Sequence, residues 1–407
     1  MKLSYEELNL AVSKHAAIRR RQRLQPVGGK GDKIFPATYP GENNVPMHVF
    51  ERRRIDGNET WCVLIDSVQS QANRLEESLL AAVNAGAIEL PYIEVDFSGA
   101  GIAGLGRITS LDAPHRVYDA ILRDSLLEGT PFMDSAIGQR LRHAKPTDAT
   151  ALLEVSPTAL VFGAWHSQGE GGGLGAKFPR CVVSEIIGVD TPVDETVDQR
   201  TGEIKHRTAG WRTSSRIDPL GILRKVEVYK GDSGWSTNEK EAGKKAKKVR
   251  PSEINHGNIT PSVQPLGVTM EYAEQTFVLT LAGLRRLGFG GDAKNQAARS
   301  YLAALGLLAA VEQDVCGYAL RSRCDLVPEG RASWELVHAD GTTAPFEIDV
   351  EGARALYSAA LRRVTDAGFS MNLRPIRLEP QPKLVDIIRQ SQERALAGEG
   401  GEEGEDE

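Results

Sequence analysis

Two kinds of hydrophobic pattern recur along the chain, and each predicts a different element. Apolar positions at helical spacing predict amphipathic helices, whereas short apolar or β-branched runs predict strands. The predicted helices cover residues 4–18, 67–86, 293–312 and 350–366. The predicted strands include Thr60–Ile65, Val268–Met270, Thr276–Leu281 and Gly317–Arg321. The chain is therefore expected to fold as interspersed helices and strands, without an internal repeat of fixed period.

Basic residues cluster at two places near the N-terminus. The first predicted helix ends in a cluster that contains Arg19 and Arg20, and a second cluster that contains Arg53 precedes the Thr60–Ile65 strand. Residues 24–48 are rich in glycine and proline and are predicted to form a loop. Consecutive arginines cannot all face one side of an element, so only some of them are expected to share a target. A solvated run of charge is an equally good interpretation of each arginine taken singly.

The helix predicted to follow Thr60–Ile65 begins with an unusual density of polar side chains. These are Ser70, Gln71, Asn73 and Arg74. A helix start needs one capping oxygen, so this cluster offers more donors than capping requires. Contact with phosphate or ribose is one use for them, and a capped surface helix is the other.

Residues 160–190 combine an apolar run, a glycine cluster and two cations. Leu160–Trp165 is predicted to be a strand that ends at His166, Ser167 and Gln168. Five glycines follow, among them Gly172 and Gly173, and then Lys177 and Arg180 on a segment predicted to be helical through Ile187. Glycines let the main chain approach an anion, and a helix N-terminus adds partial positive charge. The pattern predicts contact with phosphate or nucleic acid; the alternative is a solvent-exposed loop before an ordinary basic helix.

Motifs of other phosphate-binding and catalytic sites do not fit. The glycine block lacks the G-x-x-x-x-G-K-[ST] spacing, and the G-x-G-x-x-G at Gly99, Gly101 and Gly104 lacks a helix directly after it. The eight histidines stand in no zinc-ligand spacing, and the four cysteines form no C-x-x-C pair. His166 is the one tempting general base, and it could equally donate a hydrogen bond to RNA. We therefore expect no cofactor, no metal and no catalytic activity.

Residues 190–262 differ in character from the rest of the chain. They are polar and rich in turns, with a hairpin signal around residues 200–203 and a lysine-rich piece near residue 245 that is predicted to be mobile. Arg212 and Arg216 lie among further basic residues, with Trp211 between them and the hairpin. Cations interleaved with an aromatic ring suit a single nucleic-acid strand. A disordered solubilising loop is the alternative.

The charge balance of the chain depends on its last ten residues. The formal net charge is −6, and residues 398–407 contain six acidic residues and no basic one, so the rest of the chain is neutral on balance. Sparse cysteines suit a reducing compartment, and the N-terminus lacks the apolar core of a signal peptide. The longest helix-like apolar run, Tyr301–Val311, is too short to span a bilayer. These features predict a cytoplasmic protein that does not interact with membranes.

Several blocks of sequence together resemble one family. The glycine block, taken with DSVQSQANRLEESLL, APHRVYDAILRDS and SPTALVFGAW, resembles the repeat-associated mysterious proteins that form the backbone of type I-G (formerly I-U) CRISPR surveillance complexes. The similarity is strongest over residues 50–190. It implies an α+β fold, namely a modified RNA-recognition-motif (ferredoxin-like) palm with helical fingers and a hairpin thumb. A single elaborated palm over residues 1–390, a thumb-like insertion at 190–262 and a disordered acidic tail at 391–407 are expected.

The resemblance also implies a function in antiviral defence. Copies of such a subunit polymerise along the guide RNA (crRNA), grip its backbone and present bases for pairing with target DNA in an R-loop. The implied partners are guide RNA, target DNA, further copies of the chain, and the guide-end-binding and large subunits of the complex. Carried over by position, the Ser70–Arg74 cluster and the Gly171–Arg180 block are the expected RNA contacts. A metal-independent endoribonuclease that processes the guide precursor is the alternative.

Overall fold

A computed structural model describes residues 2–41, 45–166, 176–197, 204–214, 226–254, 256 and 262–397. Helices and strands are numbered in chain order. The α-helices are α1 (Tyr5–Lys14), α2 (Val68–Asn84), α3 (Ala120–Arg123), α4 (Ala136–Arg142), α5 (Thr150–Val155), α6 (Thr158–Phe162), α7 (Glu239–Ala242), α8 (Leu281–Leu284), α9 (Asp292–Cys316), α10 (Val350–Asp366) and α11 (Pro382–Ala397).

The first strands are β1 (Ala17–Pro26), β2 (Tyr39–Pro40), β3 (Pro46–Met47), β4 (Phe50–Ile55), β5 (Asn58–Asp66), β6 (Ile93–Asp96), β7 (Arg107–Thr109), β8 (Ser125–Leu127), β9 (Thr130–Pro131), β10 (Ala164–Trp165), β11 (Lys177–Phe178) and β12 (Val182–Val189). The later strands are β13 (Val193–Val197), β14 (Ile204–Thr208), β15 (Arg212–Ser214), β16 (Val228–Gly231), β17 (Gly234–Ser236), β18 (Lys247–Val249), β19 (Ser262–Gln264), β20 (Tyr272–Thr280), β21 (Tyr318–Arg321), β22 (Cys324–Pro328), β23 (Trp334–Val337), β24 (Thr343–Phe346) and β25 (Ile376–Pro380).

An antiparallel sheet forms the centre of the fold. Its strands follow the order β21-β22-β1-β20-β12-β5-β4, and β23 pairs with both β1 and β24. Within it, β1, β12, β20 and β22 come in this order along the chain but lie side by side as β22-β1-β20-β12. With α2 before β12 and α9 after β20, this is the ferredoxin-like arrangement, expanded by the β4–β5 hairpin between β1 and α2. The expected α+β class is confirmed.

Helices cover one face of this sheet. Helix α9 is buried along most of its length and contacts α1, α2, α6 and α10. The predicted helices at 67–86, 293–312 and 350–366 are confirmed as α2, α9 and α10, and Ser67 caps α2 by accepting a hydrogen bond from the Ser70 N–H at 3.3 Å. In the described part of the chain, no helix combines the length and apolarity needed to cross a membrane.

Strand β1 corrects the expectation for the N-terminal basic cluster. Helix α1 ends at Lys14, and the arginines after it belong to a ten-residue strand rather than to the end of a helix and a loop. Alternate residues of β1, including Ile18, Gln22 and Leu24, are buried. A period of two is the pattern of a strand with two different faces. In the sequence this period is hidden, because the buried positions include the polar residues Arg20 and Gln22 and the positions that alternate with them are also arginines.

A second, smaller sheet holds the other glycine motif. Its order is β7-β6-β25-β8-β9. The segment with Gly99, Gly101 and Gly104 joins β6 to β7, which are antiparallel neighbours. A strand follows these glycines, so the motif lacks the helix N-terminus that a dinucleotide pyrophosphate requires.

The insertion at 190–262 leaves the main sheet after β12 and returns at β20. Strands β13 and β14 pair antiparallel, and the turn predicted at residues 200–203 lies outside the described residues. The lysine-rich piece, predicted to be mobile, instead forms α7 and β18, and β18 joins β16 and β17 in a three-stranded sheet. Val228 on β16 and Ala242 on α7 are buried there, although the sequence around them is rich in lysine.

Buried polar side chains fasten the helices to the main sheet. Gln275 on β20 donates to Gln71 Oε1 (2.9 Å), Ser184 Oγ (3.2 Å) and Gln313 Oε1 (2.8 Å). Its Oε1 accepts from Arg20 and from Tyr318, both at 3.1 Å. The amide therefore links strands β1, β12, β20 and β21 to helices α2 and α9, and its buried polar atoms are paired as such a site demands.

His48 connects the segment after β1 to the segment before β20, where the insertion ends. Its Nδ1 lies 3.2 Å from the carbonyl oxygen of Ala37, and its Nε2 accepts the Gly267 N–H at 2.9 Å. These partners require a neutral ring with its proton on Nδ1. Burial lowers the pKa of His48, and nearby Arg321 lowers it further. Protonation would place an N–H on Nε2 of His48 against the N–H of Gly267, close to where the insertion returns to the main sheet.

Acid is therefore expected to destabilise the fold through His48. Because its folded pKa is below the ordinary value, its contribution is present near neutral pH and is lost as pH falls below about 6.5. Between about pH 7.5 and about pH 5.5, wild type should lose about 1 kcal/mol more unfolding free energy than His48→Gln in urea titrations. His143→Gln, at an exposed position, should keep the wild-type loss. Equal losses in wild type and His48→Gln would contradict this role.

Candidate nucleic-acid interface

The face of the main sheet that is turned away from the helices carries a row of arginines. Because Arg20 points toward α9, where Asp314 holds it, alternation places Arg19, Arg21 and Arg23 on the opposite face. Arg19 lies 2.6 Å from Glu335 and Arg21 lies 2.6 Å from Glu274.

The same face continues across the sheet to β4. The guanidinium of Arg23 lies 4.1 Å from the centre of the Tyr272 ring. Arg53 lies 2.6 Å from Glu185, which is opposite Thr276 on β20. Thr276 in turn is opposite Arg21. Arginines on β1 and β4 are therefore interspersed with carboxylates on β23, β20 and β12. We call Arg19, Arg21, Arg23 and Arg53 the arginine face.

The Arg19–Glu335 and Arg53–Glu185 pairs of the arginine face are exchangeable, whereas Arg21 is paired with the buried Glu274. The side chains of Arg19, Arg21 and Arg53 are 38%, 57% and 35% exposed. Ion pairs in contact with water typically contribute only about 0–1 kcal/mol. A phosphate chain could therefore replace Glu335 and Glu185 as a partner at little cost, while the glutamates keep the arginines extended in its absence.

The glycine block has different flanking elements from those predicted. Leu160–Trp165 is not a strand: helix α6 ends at Phe162, Gly163 turns the chain at φ +86°, and only Ala164 and Trp165 form β10. A short apolar run buried on all sides does not distinguish helix from strand.

The predicted helix after Lys177 is also absent. Lys177 lies on β11, and β12 follows with the β-branched residues Val182, Val183, Ile186 and Ile187. Such residues favour a pleated strand that packs in the centre of a sheet. No helix N-terminus faces the glycine block there, so the part of the prediction that relied on a helix dipole is wrong.

Strands β10 and β11 pair with each other and form the stem of the glycine block. Lys177 Nζ lies 4.6 Å from the centre of the Trp165 ring, and 49% of Trp165 is exposed. Nothing in the sequence distinguishes Trp165 from a core residue, because it stands at the end of an apolar run. An exposed indole beside a lysine is a usual contact for a nucleic-acid strand.

His166 stacks on a neighbouring ring at the same stem. Its ring centre is 4.7 Å from that of Tyr118, with 10° between the planes. Burial lowers the pKa of His166, and the charges of Arg142 and Arg123 lower it further. The imidazole is therefore neutral at pH 7, in a setting that favours anions.

Arg180 supports the stem from within. Its Nε donates to the carbonyl oxygen of Phe162 at 3.2 Å, and Arg116 Nη1 donates to that of Gly163 at 3.2 Å. Burial lowers the pKa of Arg180, and the charge of Arg116 adds to this. Both arginines thus cap the carbonyl end of α6, which orients the chain into β10. Arg180 therefore contributes to the fold, and it does not lie beside Lys177 on a helix as a second contact for an anion.

A buried carboxylate completes the support. Glu76 on α2 accepts from Arg116 Nε at 2.9 and 2.8 Å. Burial raises the pKa of Glu76 to about 7 against the opposing effect of Arg116. Arg116 has φ +54°, a strained value for a side chain of this size. The pair fixes α2 to the stem of the glycine block.

Several other predicted contacts face the interior. Gln71 is fully buried and donates to Asp66 Oδ2 at 2.6 Å. Arg74 donates to Asp66 at 3.0 Å and to the carbonyl oxygen of Leu320. Arg20 is 3% exposed and lies 4.5 Å over the Trp334 ring. Gln71 and Arg74 attach α2 to the main sheet, and Arg20 attaches β1 to α9, so we do not place these three in the interface. Polar residues at a helix start look the same in sequence whether they serve a ligand or a buried network.

The remaining predicted positions are not all described. Ser70 and Asn73 are partly exposed on the first turns of α2. Arg212 lies on β15 opposite Gln264. Ser167, Gln168, Gly172, Gly173 and Arg216 lie outside the described residues. Where the structure describes the chain, no three His, Cys, Asp or Glu side chains come together as a metal site.

A comparison with known protein families finds a match over the part of the chain that contains the arginine face and the stem of the glycine block. Residues 18–193 match the family model of the CRISPR-associated protein GSU0053. The chain is similar to a CRISPR-associated protein family. The match begins in β1 and ends in β13, so it includes the glycine block and three strands of the arginine face, β1, β4 and β12. It covers less than half of the 407 residues. No curated protein matches the chain.

The similarity supports a role in CRISPR defence, with other CRISPR components as partners. The matched segment brings Glu76, Arg116 and Arg180 together from three separate places in the sequence. Their support of the stem is therefore a property of the segment that resembles the family.

Removing the buried cation of this support should be costly. Arg116→Leu leaves Glu76 buried without its partner, and breaking a buried pair in this way typically costs about 3–5 kcal/mol. Urea unfolding measures the loss, and Glu76→Leu/Arg116→Met should recover most of it because both charges are then absent. Arg107→Leu is the control, since the buried Glu94 keeps Arg377 as a partner at 2.8 Å. A loss for Arg116→Leu no larger than that for Arg107→Leu would contradict the assignment.

Proposed function

We propose that the chain is a non-catalytic backbone subunit of a type I CRISPR effector complex, which polymerises along a guide RNA and grips its phosphate–sugar backbone. The observation that carries the proposal is the arginine face: the sheet face turned away from the helices presents Arg19, Arg21 and Arg23 on β1 and Arg53 on β4, all at least partly accessible. The match to a CRISPR-associated family supports the setting.

The chemistry of this face favours phosphate over bases. A guanidinium presents its donors as a fork that matches two phosphate oxygens. The neighbouring positions on β20 and β12 are Thr276, Val278 and Val183, which offer no ring for stacking, and Tyr272 lies under Arg23. Guide sequences differ, so a general subunit must contact backbone and leave base edges free to pair with target DNA.

The ends of β12 supply contacts beyond the arginine face. The stem of the glycine block enters β12 at Val182, and the insertion leaves it after Val189. Eight residues of strand span about 25 Å. A strand of RNA laid along this direction would meet Trp165 and Lys177 near one end and the β13–β14 hairpin near the other. This placement agrees with a thumb-like role for the insertion.

A metal-independent endoribonuclease that processes the guide precursor is the second candidate. One observation favours it: His166 is held neutral, as a general base must be, beside the positive charges of Arg123 and Arg142. We prefer the scaffold because the ring of His166 is packed flat on Tyr118 and has a structural use there. Shortened RNA products that disappear in His166→Ala would favour the nuclease.

The salt dependence of RNA binding tests the arginine face. Each phosphate contact to a single strand contributes about 0.7 to the slope of log affinity against log salt concentration. Arg19→Gln/Arg21→Gln/Arg23→Gln should therefore lower that slope by about 2 for a single-stranded RNA in fluorescence anisotropy titrations.

A matched triple variant serves as the control. Arg286, Arg362 and Arg374 are exposed at other places in the chain. Arg286→Gln/Arg362→Gln/Arg374→Gln removes the same charge and should leave the slope near the wild-type value. Equal slopes for both triple variants would show that binding depends on net charge and would contradict a grip by this face.

A further inference from the structure

The insertion contains a small sheet that the guide-RNA contacts do not use. Strands β17, β16 and β18 pair antiparallel, and α7 packs on one side of them. A Cβ on Gly231 would lie 2.4 Å from the carbonyl oxygen of Ala242, so α7 approaches closely on the side of Tyr229 and Gly231. On the other side, Val228 at the start of β16 is buried, whereas Lys230 is exposed.

One row of side chains crosses the side opposite α7. Trp235 is directly opposite Lys230, and Lys230 is directly opposite Lys247. Residues opposite each other in antiparallel strands point to the same side of the sheet. All three are exposed, with 51% of Trp235 accessible although its ring contacts that of His256, with 5.2 Å between the centres and 65° between the planes. We call Trp235, Lys230 and Lys247 the Trp-Lys-Lys row.

The row is unfavourable without a ligand. Like charges directly opposite in a sheet repel, and no carboxylate in the described parts of the chain lies within ion-pair distance of Lys230 or Lys247. On the covered side, by contrast, Lys248 is paired with Glu227. The nearby Glu241 is already engaged by Ser236 at 2.7 Å. Two unneutralised cations beside an exposed indole thus select an anion that also offers a flat ring.

We propose that the Trp-Lys-Lys row binds a second single-stranded nucleic-acid segment, separate from the guide. An unpaired base stacks on Trp235, and the phosphates beside it are held by Lys230 and Lys247. Stacking with backbone charge tolerates any sequence, as a site for variable strands must. The inference goes beyond the proposed function, because that function places the guide on the arginine face and assigns nothing to this sheet.

The test measures two strands on the same protein. Full-length chain, alone and pre-assembled on unlabelled guide-length RNA, is titrated with labelled oligothymidine DNA, and with oligouridine RNA to compare the sugars. Trp235→Ala should weaken binding of the labelled strand roughly 5- to 150-fold, the range of one stacked base, with RNA assembly unchanged. Trp235→Phe should restore most of the affinity. Lys230→Gln/Lys247→Gln should weaken binding and lower its salt dependence.

Lys248→Gln is the matched control, because it removes one charge from β18 on the covered side and should leave the affinity unchanged. Trp235 lies on the surface, so unchanged thermal unfolding of each variant separates binding from folding. Unaltered affinity in Trp235→Ala would overturn the proposal. Equal loss of RNA assembly and of second-strand binding would also overturn it, since the row would then belong to the guide site. Failure of RNA assembly alone would count against the proposed function only. Binding of the labelled strand to the free chain would still test the Trp-Lys-Lys row.

Discussion

The rest of the structure depends on one buried hydrogen-bond hub between the main sheet and its helices. Gln275 joins Gln71, Ser184, Gln313, Arg20 and Tyr318, and so fixes four strands to two helices. A polar group buried this deeply is tolerated only when its hydrogen bonds are made, which ties the strands to one register. Because that register turns Arg20 and Gln22 inward, it also turns the neighbouring arginines of β1 outward. The interior and the proposed RNA surface therefore follow from the same constraint.

Basic residues in this chain divide into two groups with different physical roles. Arg20, Arg74, Arg116 and Arg180 are drawn into the fold, where they bind carboxylates or the carbonyl end of a helix. The arginine face and Lys177 stay accessible. The first group positions the second: Glu76, Arg116 and Arg180 orient the stem that presents Trp165 and Lys177. The neutral charge balance of the body is thus compatible with accessible cations gathered at one place.

The long helices could be predicted from the sequence because their patterns are long and regular, and the α+β class followed from the resemblance to a known family. Prediction from the sequence failed where patterns were short or mixed in meaning. The period of two in β1 was obscured by consecutive arginines, and the apolar run before the glycine block fitted either element. The Ser70–Arg74 cluster is unusual in the sequence, but the partners of Gln71 include Ser184 on β12 and Gln275 on β20, which are far away in sequence. Trp165 and Trp235 were missed because exposure cannot be read from a residue type.

Size-exclusion chromatography with light scattering tests the central claim most directly, using the chain alone and with single-stranded RNAs of increasing length. A subunit that grips the backbone of a guide should add copies in steps as the RNA is lengthened, and the RNA should be recovered intact. The triple substitution of Arg19, Arg21 and Arg23 by glutamine should abolish the steps. A fixed protein-to-RNA ratio with shortened RNA, or no association with RNA of any length, would contradict the account.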